Sequence, residues 1–250
     1  MAKRQRPKLR TADKIFAPYK LNDFPAGFPL IVAREVVYVL ATKGIPSIEG
    51  PEWERIFATA IGAEWKPSNI GLDDVVLGNT AWGAKTVKSA VKDFRDLKKI
   101  RLISGRNSPV FSYGDTVDVN HDPDDVGAKV LEIWNDRVIS VRSRFKNLRT
   151  VVLIKSDDLS QIAVYEFDTV LYIAELFNFK WNSRGNLEGF DKATNEKIFT
   201  WQPHGSQFTI HEYIPDDILI LRIKAPAEVD KDTIIKATGF DPSWVTIVNR

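Results

Sequence analysis

GLDDVVLGNTAWGAKTVK, residues 71–88, is the stretch whose interpretation decides the fold. Two adjacent aspartates, Asp73 and Asp74, head a short β-branched run, and Gly78-Asn79 is a favourable turn pair. The run beyond the turn carries Lys85 between Ala84 and Thr86, beside positions where a strand ordinarily takes a hydrophobe. Asp74–Leu77 and Ala81–Val87 therefore read as two short strands of a hairpin. Paired strands lie about 4.8 Å apart, so Asp74 and Lys85 can meet near the hairpin's open end. A polar hairpin explains the same letters, with Asp73-Asp74 as its cap and Lys85 snorkelling from its edge. The chemical alternative is metal-assisted hydrolysis of a phosphodiester. That reaction needs one or two carboxylates to hold the metal, a water in line, and a cation near the water or the phosphate.

Outward from the hairpin, Ser47–Glu64 has the pattern of an amphipathic helix. Pro51 suits the first turn, acids gather at that end, and Trp53, Ile56, Phe57, Ala60 and Ile61 share one face. Before it, FPLIVAREVVYVLATKG (28–44) suggests a buried helix, although its β-branched content leaves a strand open. Residues 66–69 read as a loop. Downstream, a helix is expected over Ser89–Lys99, a strand over Ile100–Ile103, and a loop over SGRNSP (104–109). The strongest single signal is DPDDVGAKVLEIWNDRVISVRSRF (122–145), with Asp122 as N-cap, Pro123 at the first position and Asp124 and Asp125 complementing the helix dipole. Val126, Val130, Trp134, Val138, Val141 and Phe145 recur at helical spacing, which places Trp134 and Phe145 in the core. Strands follow at Thr150–Lys155 and Ile162–Asp168. An antiparallel pattern then runs through FKWN, a turn at SRGN, KIFTWQ and QFTIHEYI, before a last strand in DDILILRIK and a short helix stopped by Gly239. The expected fold class is α/β: a mixed sheet flanked by helices, with an antiparallel C-terminal hairpin region. One domain would span 13–250 behind a flexible basic arm (1–12), its β-rich part covering about 160–250.

Composition narrows the chemistry. The chain has no cysteine, which excludes disulfides and cysteine-ligated zinc, and its histidines are His121, His204 and His211 only. A metal would be a hard cation held by carboxylates. No apolar run approaches the roughly 18 residues of a membrane span, and no apolar signal core follows the basic start, so a cytoplasmic protein without membrane contact is expected. The net charge of +2 says little, but Lys and Arg cluster in MAKRQRPKLR, KSAVKDFRDLKKIR and RVISVRSRFKNLR. Such clusters can neutralise phosphates, and Arg137, Arg142, Arg144, Lys146 and Arg149 could track a backbone; solvated helix faces explain them as well.

A helix bearing Glu54 in PEWERIF, Asp74 in LDDVV on a hairpin strand, and Lys85 in WGAK on its partner, followed by a helix, resembles the core of the PD-(D/E)xK nucleases, to which many type II restriction endonucleases belong. The resemblance covers about residues 47–105 and rests on a short, degenerate motif. It implies that Asp74 ligates Mg²⁺, that Lys85 sits by the attacking water, and that Glu54 contacts water or metal. It also implies cleavage to a 5′-phosphate and a 3′-hydroxyl. The chain departs from the pattern at Gly83, where a second acid is expected; Asp93 or Asp96 could supply that acid as further metal ligands, or Glu54 could replace it.

Candidates for reading DNA lie further on. Arg106 and Asn107, in a Gly/Pro loop, have the side chains suited to guanine and adenine edges. The hairpin expected over 181–207 carries Arg184, Asn186, Gln202, His204 and Gln207 along with Trp181 and Trp201, and a two-stranded ribbon fits the major groove. Polar turns and a tryptophan-covered core edge account for the same residues. Glu166, in an apolar strand, reads as a paired structural acid. The expected function is a Mg²⁺-dependent, sequence-specific endonuclease of double-stranded DNA, acting as a homodimer on a symmetric site. The rival readings are a noncatalytic DNA-binding protein, a metal-independent glycosylase or nuclease using His204 or His211, and an RNA-binding protein that stacks unpaired bases on its tryptophans.

Overall fold

A computed structural model describes residues 17–67 and 71–248. The basic arm 1–12 and much of the 66–69 loop lie outside the described residues. Helix α1 (Phe28–Thr42) buries Phe28, Val32, Val36 and Val39 at helical spacing, which settles the helix-or-strand ambiguity of that run. Helix α2 (Gly50–Ile61) starts in a capping box: the Glu49 N–H donates to the Glu52 carboxylate at 2.7 Å. It stops at Gly62, whose φ is +68°. Strands β1 (Glu64–Trp65), β2 (Val75–Leu77) and β3 (Thr80–Lys88) follow as an antiparallel run. After β4 (Lys99–Arg106) and the five-residue α3 (Pro109–Tyr113), the long helix α4 (Pro123–Arg142) leads to β5 (Asn147–Lys155), which pairs parallel to β3. Asp122 caps α4 as expected, accepting from the Asp124 N–H at 2.8 Å.

The first sheet is completed by β6 (Gln161–Asp168) and, from near the C-terminus, β11 (Leu219–Arg222), in the order β1-β2-β3-β5-β6-β11. The second sheet is wholly antiparallel. It consists of β7 (Phe177–Trp181), β8 (Leu187–Asp191), β9 (Lys197–Gln202) and β10 (Gln207–Tyr213), with β4 added at one edge, in the order β4-β10-β9-β8-β7. The fold is thus mixed α/β, as the element pattern required. The C-terminal β-rich region is shared between sheets, because β6 and β11 join the first one. A last short helix, α5 (Lys231–Ala237), ends two residues before Gly239.

Strand alternation sorts the core. Val75, Trp82, Ala84, Val151, Leu153 and Val164 pack under α1 and α2 against Phe28, Trp53 and Phe57. On the opposite face, Ala81 and Leu148 meet Trp134, Val138 and Val141 of α4, which also packs on Phe177, Phe199 and Phe208 of the second sheet. Farther along that face, Val152, Ile154 and Tyr165 meet Ile100 and Leu102 of β4. Each such apolar side chain contributes about 1.5–3 kcal/mol when fully buried, so α4 is held from both sides.

Three expected elements differ. No α-helix spans 89–99. The segment is irregular with one 3₁₀ turn (Phe94–Asp96), because Phe94 is drawn fully into the core and the Gln161 side chain binds the Lys92 carbonyl and the Phe94 N–H. The 104–109 stretch is not a loop throughout: β4 runs to Arg106, and Ser108 with Pro109 opens α3. Strand β8 had no counterpart in the expected pattern. Its Gly189 looks like a strand breaker, yet a Cβ there would fall 2.0 Å from the Phe199 ring, so the close packing of that ring requires glycine.

Candidate active site

The β2–β3 hairpin turns through Gly78-Asn79, with Gly78 at φ +58° and Leu77 opposite Thr80. This register sets Val75 opposite Trp82 and brings Asp74 to the open end beside Ala84, whose N–H donates to Asp74 Oδ2 at 3.2 Å. Trp82 and Ala84 face α2, so Lys85 points to the other side, toward α4. Its Nζ donates to the Gly71 carbonyl at 2.9 Å. The chain from Gly71 to Asp73 thus passes directly over β3. A Cβ on Gly83 would lie 3.0 Å from the Gly71 oxygen and 3.1 Å from Leu72 Cα. An acid at this position, which the resemblance led one to expect, would have to start where that backbone stands.

Five charged groups share the electrostatics of this point: Glu54, Asp73, Asp74, Lys85 and Arg137. Asp74 is 3% exposed, and burial pushes its carboxyl up to about 6; Lys85 and the Ala84 N–H oppose the rise, while Glu54 and Asp73 add to it. Burial holds the Lys85 ammonium below the ordinary lysine value, Arg137 lowers it further, and Asp74 and Glu54 counter both. Glu54, half-buried on α2, accepts from Trp65 Nε1 at 2.9 Å. Arg137 reaches in from α4 and donates to the Ser104 carbonyl at 2.8 Å and Asn107 Oδ1 at 3.2 Å. Next to them, Asp73 is 3% exposed and pairs with Arg144 at 2.9 Å through one oxygen, while its Oδ1 has no partner among the described residues.

Glu54, Asp74 and Lys85 therefore converge, and the other expected metal ligands do not. Asp93 caps the 3₁₀ turn, where Arg95 holds its carboxyl well below the usual range, and it pairs with Arg222 of β11 at 2.9 Å. That strand is three places from β3 in the sheet, about 14 Å away. Asp96 is an exposed member of the same turn. Neither is the relocated acid. Among the described residues no group of three His, Asp or Glu side chains is placed to hold a metal. Arg137 is the member of the centre that sequence reading put elsewhere, on a phosphate-tracking face. Its signal was available: counted from Val130 and Trp134 at steps of four and three, it lies on the buried stripe of α4. Of the rest of the proposed basic face, Lys146 is exposed, and the three arginines make structural contacts. Arg142 donates to the Thr169 carbonyl, Arg144 pairs with Asp73, and Arg149 is buried with Glu166.

No protein-family model matches the chain, and no curated protein or solved structure does.

The candidate DNA-reading residues gather at one end of the second sheet. Arg106, Gln207 and Gln202 are neighbours across β4, β10 and β9. His204 lies exposed in the turn after β9. One row earlier, Trp201 opposes Leu187 and Leu187 opposes Trp181, which puts the 182–186 turn with Arg184 and Asn186 at the same end. Asn107 is the exception. It is fully buried, its amide donates to the Val130 carbonyl at 3.0 Å, and its own carbonyl accepts from Trp201 Nε1 at 2.7 Å. It braces Arg137 and α4 against the sheet and cannot read a base. His211 sits apart from His204, on β10, where its Nε2 shares a hydrogen bond with Thr200 Oγ1 at 2.9 Å. With Arg101, Arg184, Asn186 and Lys197 it lines a pocket of about 370 Å³.

Among the described residues, no helix is long and apolar enough to cross a membrane.

Proposed function

We propose that the chain is a Mg²⁺-dependent endonuclease of double-stranded DNA, of restriction-enzyme type, with its chemistry at Asp74, Lys85 and Glu54. The observation that carries this reading is the meeting of a buried carboxylate and a half-buried ammonium that are not spent on each other: Lys85 hydrogen-bonds a backbone carbonyl and Asp74 a backbone N–H. Opposite charges kept for structure normally close into a pair. Two carboxylates in electrostatic contact, Asp74 and Glu54, suit Mg²⁺, which is commonly held by one or two carboxylates and completes its shell with waters and substrate phosphate. Bound there, the metal would acidify a water and offset phosphate charge.

Around it, Lys85 holds and polarises the attacking water, and Glu54 orients it. Arg137, linked electrostatically to Asp74 and Lys85, adds positive potential for the phosphate. The water oxygen bonds to phosphorus as the P–O3′ bond breaks; the water's proton passes by way of the Glu54 carboxylate to solvent, and the departing 3′ oxygen takes a proton from a solvent water to leave as a hydroxyl. Arg106, Arg184, Asn186, Gln202, His204 and Gln207 supply the DNA-facing sheet end, and Asn107 and Arg137 link that end to the centre. Cutting both strands of a symmetric site calls for a homodimer.

The test is plasmid cleavage with Mg²⁺ by the wild type and by Lys85→Ala. Cutting lost in the variant with DNA binding kept is the expected result. Cutting that persists moves the chemistry elsewhere, cutting in EDTA moves it to His204 or His211, and binding without any cutting leaves a noncatalytic DNA-binding protein.

A further inference from the structure

We infer that a pocket beside the charged centre, built from Arg106, Phe111, Ile133 and the Gly205-Ser206 turn, receives a single nucleobase displaced from the duplex next to the phosphate that is cut. This deepens the nuclease reading and rests on it for the identity of the ligand. Phe111 is 91% exposed, the most exposed aromatic ring among the described residues, and it borders a cavity of about 560 Å³. Exposed apolar side chains scattered singly need no explanation, but the short helix that carries this ring is braced. The Phe111 N–H is capped by Ser108 Oγ at 3.3 Å, and two residues later Tyr113 Oη donates to Glu132 of α4 at 2.8 Å. The short helix α3 thus presents the ring on a braced support.

The pocket is also next to the centre. Ile133 in its wall and Arg137 in the centre are one turn apart on α4, about 6 Å along the axis. On β4, Ser104, which accepts from Arg137, is two residues from Arg106. An aromatic face with a guanidinium and serine hydroxyls around it is the chemistry that takes up an unstacked base: the ring stacks on any base, and the cation meets its edge or its phosphate. A base inside a duplex cannot reach such a wall without leaving the stack, which costs a few kcal/mol unless the base is already unpaired.

That cost gives the test. Fluorescein-labelled duplexes, one fully paired and one identical but for a single central bulged nucleotide, are titrated with the full chain in EDTA and followed by anisotropy. The wild type is expected to bind the bulged duplex about tenfold more tightly, Phe111→Ala to lose that preference, and Phe111→Tyr to keep it. Equal affinities in the wild type, binding to neither duplex, or a preference unchanged in Phe111→Ala overturn the inference. So does a Phe111→Ala variant that turns a dimer into a monomer with the preference intact, since the ring is then a contact between copies. Cleavage with Mg²⁺ is read in parallel. Cutting without a bulge preference sinks the pocket alone, and a preference without cutting sinks the nuclease reading alone.

Discussion

Strand β3 carries two buried charge clusters three residues apart, on opposite faces of one sheet, and they are built on opposite terms. At Trp82 the cluster is closed by a direct ion pair, although Arg149 Nε has no hydrogen-bond partner among the described residues. Glu166 accepts from Arg149 at 2.9 Å, from Trp82 Nε1 at 2.6 Å and from the Asn22 N–H at 3.4 Å, and Arg149 donates to the Tyr19 carbonyl at 2.9 Å. At Lys85 the cluster is open. A lysine rests on one carbonyl, an aspartate on one N–H, and a neighbouring carboxylate oxygen has no partner among the described residues. Burial of charge is common to both, so burial does not mark chemistry. The arrangement that suits the proposed chemistry is one in which opposite charges bond backbone rather than each other, leaving room for a ligand between them.

The comparison breaks most visibly at Lys85. If the open cluster is the hydrolytic centre, Lys85→Ala should lower the rate of DNA cleavage by about 10²–10³, the usual consequence of removing one charge-stabilising group, with little change in the thermal midpoint. The closed cluster should respond the other way round. Glu166→Ala leaves Arg149 buried beside no carboxylate except the distant Asp168 at 3.9 Å, and should cost about 3–5 kcal/mol. For a chain of this size that is about 10 °C in the midpoint. A Glu166→Ala protein that melts with the wild type would remove the structural half of the contrast.

Asp74 sharpens the difference: burial raises both carboxyls, but Glu166 keeps its charge beside a bonded guanidinium while Asp74 accepts only one N–H. Its carboxyl titrates near 6 in the fold and near 3.8 when unfolded, so the folded state holds the proton more tightly. Folding stability from this group is therefore full below about pH 4 and lost as pH rises through about 6. Asp74→Asn should be the more stable protein above that pH in EDTA, by on the order of 1–3 kcal/mol, and equal to the wild type near pH 4. Denaturant melts at the two pH values measure it. A destabilised Asn variant at pH 8 would mean that Asp74 is as well paired as Glu166. Cleavage by the wild type should likewise decline below about pH 6, as Asp74 takes up its proton.

How much of this was legible in the chain follows from which forces act locally. Helices α1, α2 and α4 carry their own period and caps, and the β2–β3 hairpin its own turn, so they could be read directly. The convergence of Glu54, Asp74 and Lys85 was legible too, because the three lie within one run of adjacent elements. Asp93 and Asp96 misled because their placement is decided by Phe94, which is pulled into the core, and by Arg222 of β11, which pairs with Asp93 from 129 residues farther along the chain. Asn107 misled for a similar reason: its loop setting looked exposed, and only the crossing of α4 over the second sheet shows that it is sealed. The glycine at position 83 has a physical reason that strand periodicity does not carry: the backbone of the 71–73 segment stands against it.

His211 is an intermediate case and the smallest effect. Burial, with Lys197, Arg101 and Lys99 nearby, pulls its pKa down to about 4, while Glu188 opposes them. Its ring is half-buried, so solvent screens much of this and the energy is small. A histidine kept neutral in the fold titrates near 6.5 once unfolded, so its contribution is present above about 6.5 and is lost as pH falls toward about 4. His211→Gln, which keeps a hydrogen-bonding group for Thr200, should flatten the stability profile between those values and leave DNA cleavage at pH 8 unchanged. If cleavage falls instead, His211 belongs with Lys85 among the charges held ready for a ligand. The cationic pocket it lines with Arg101 and Lys197 would then have to be counted as part of the reacting surface.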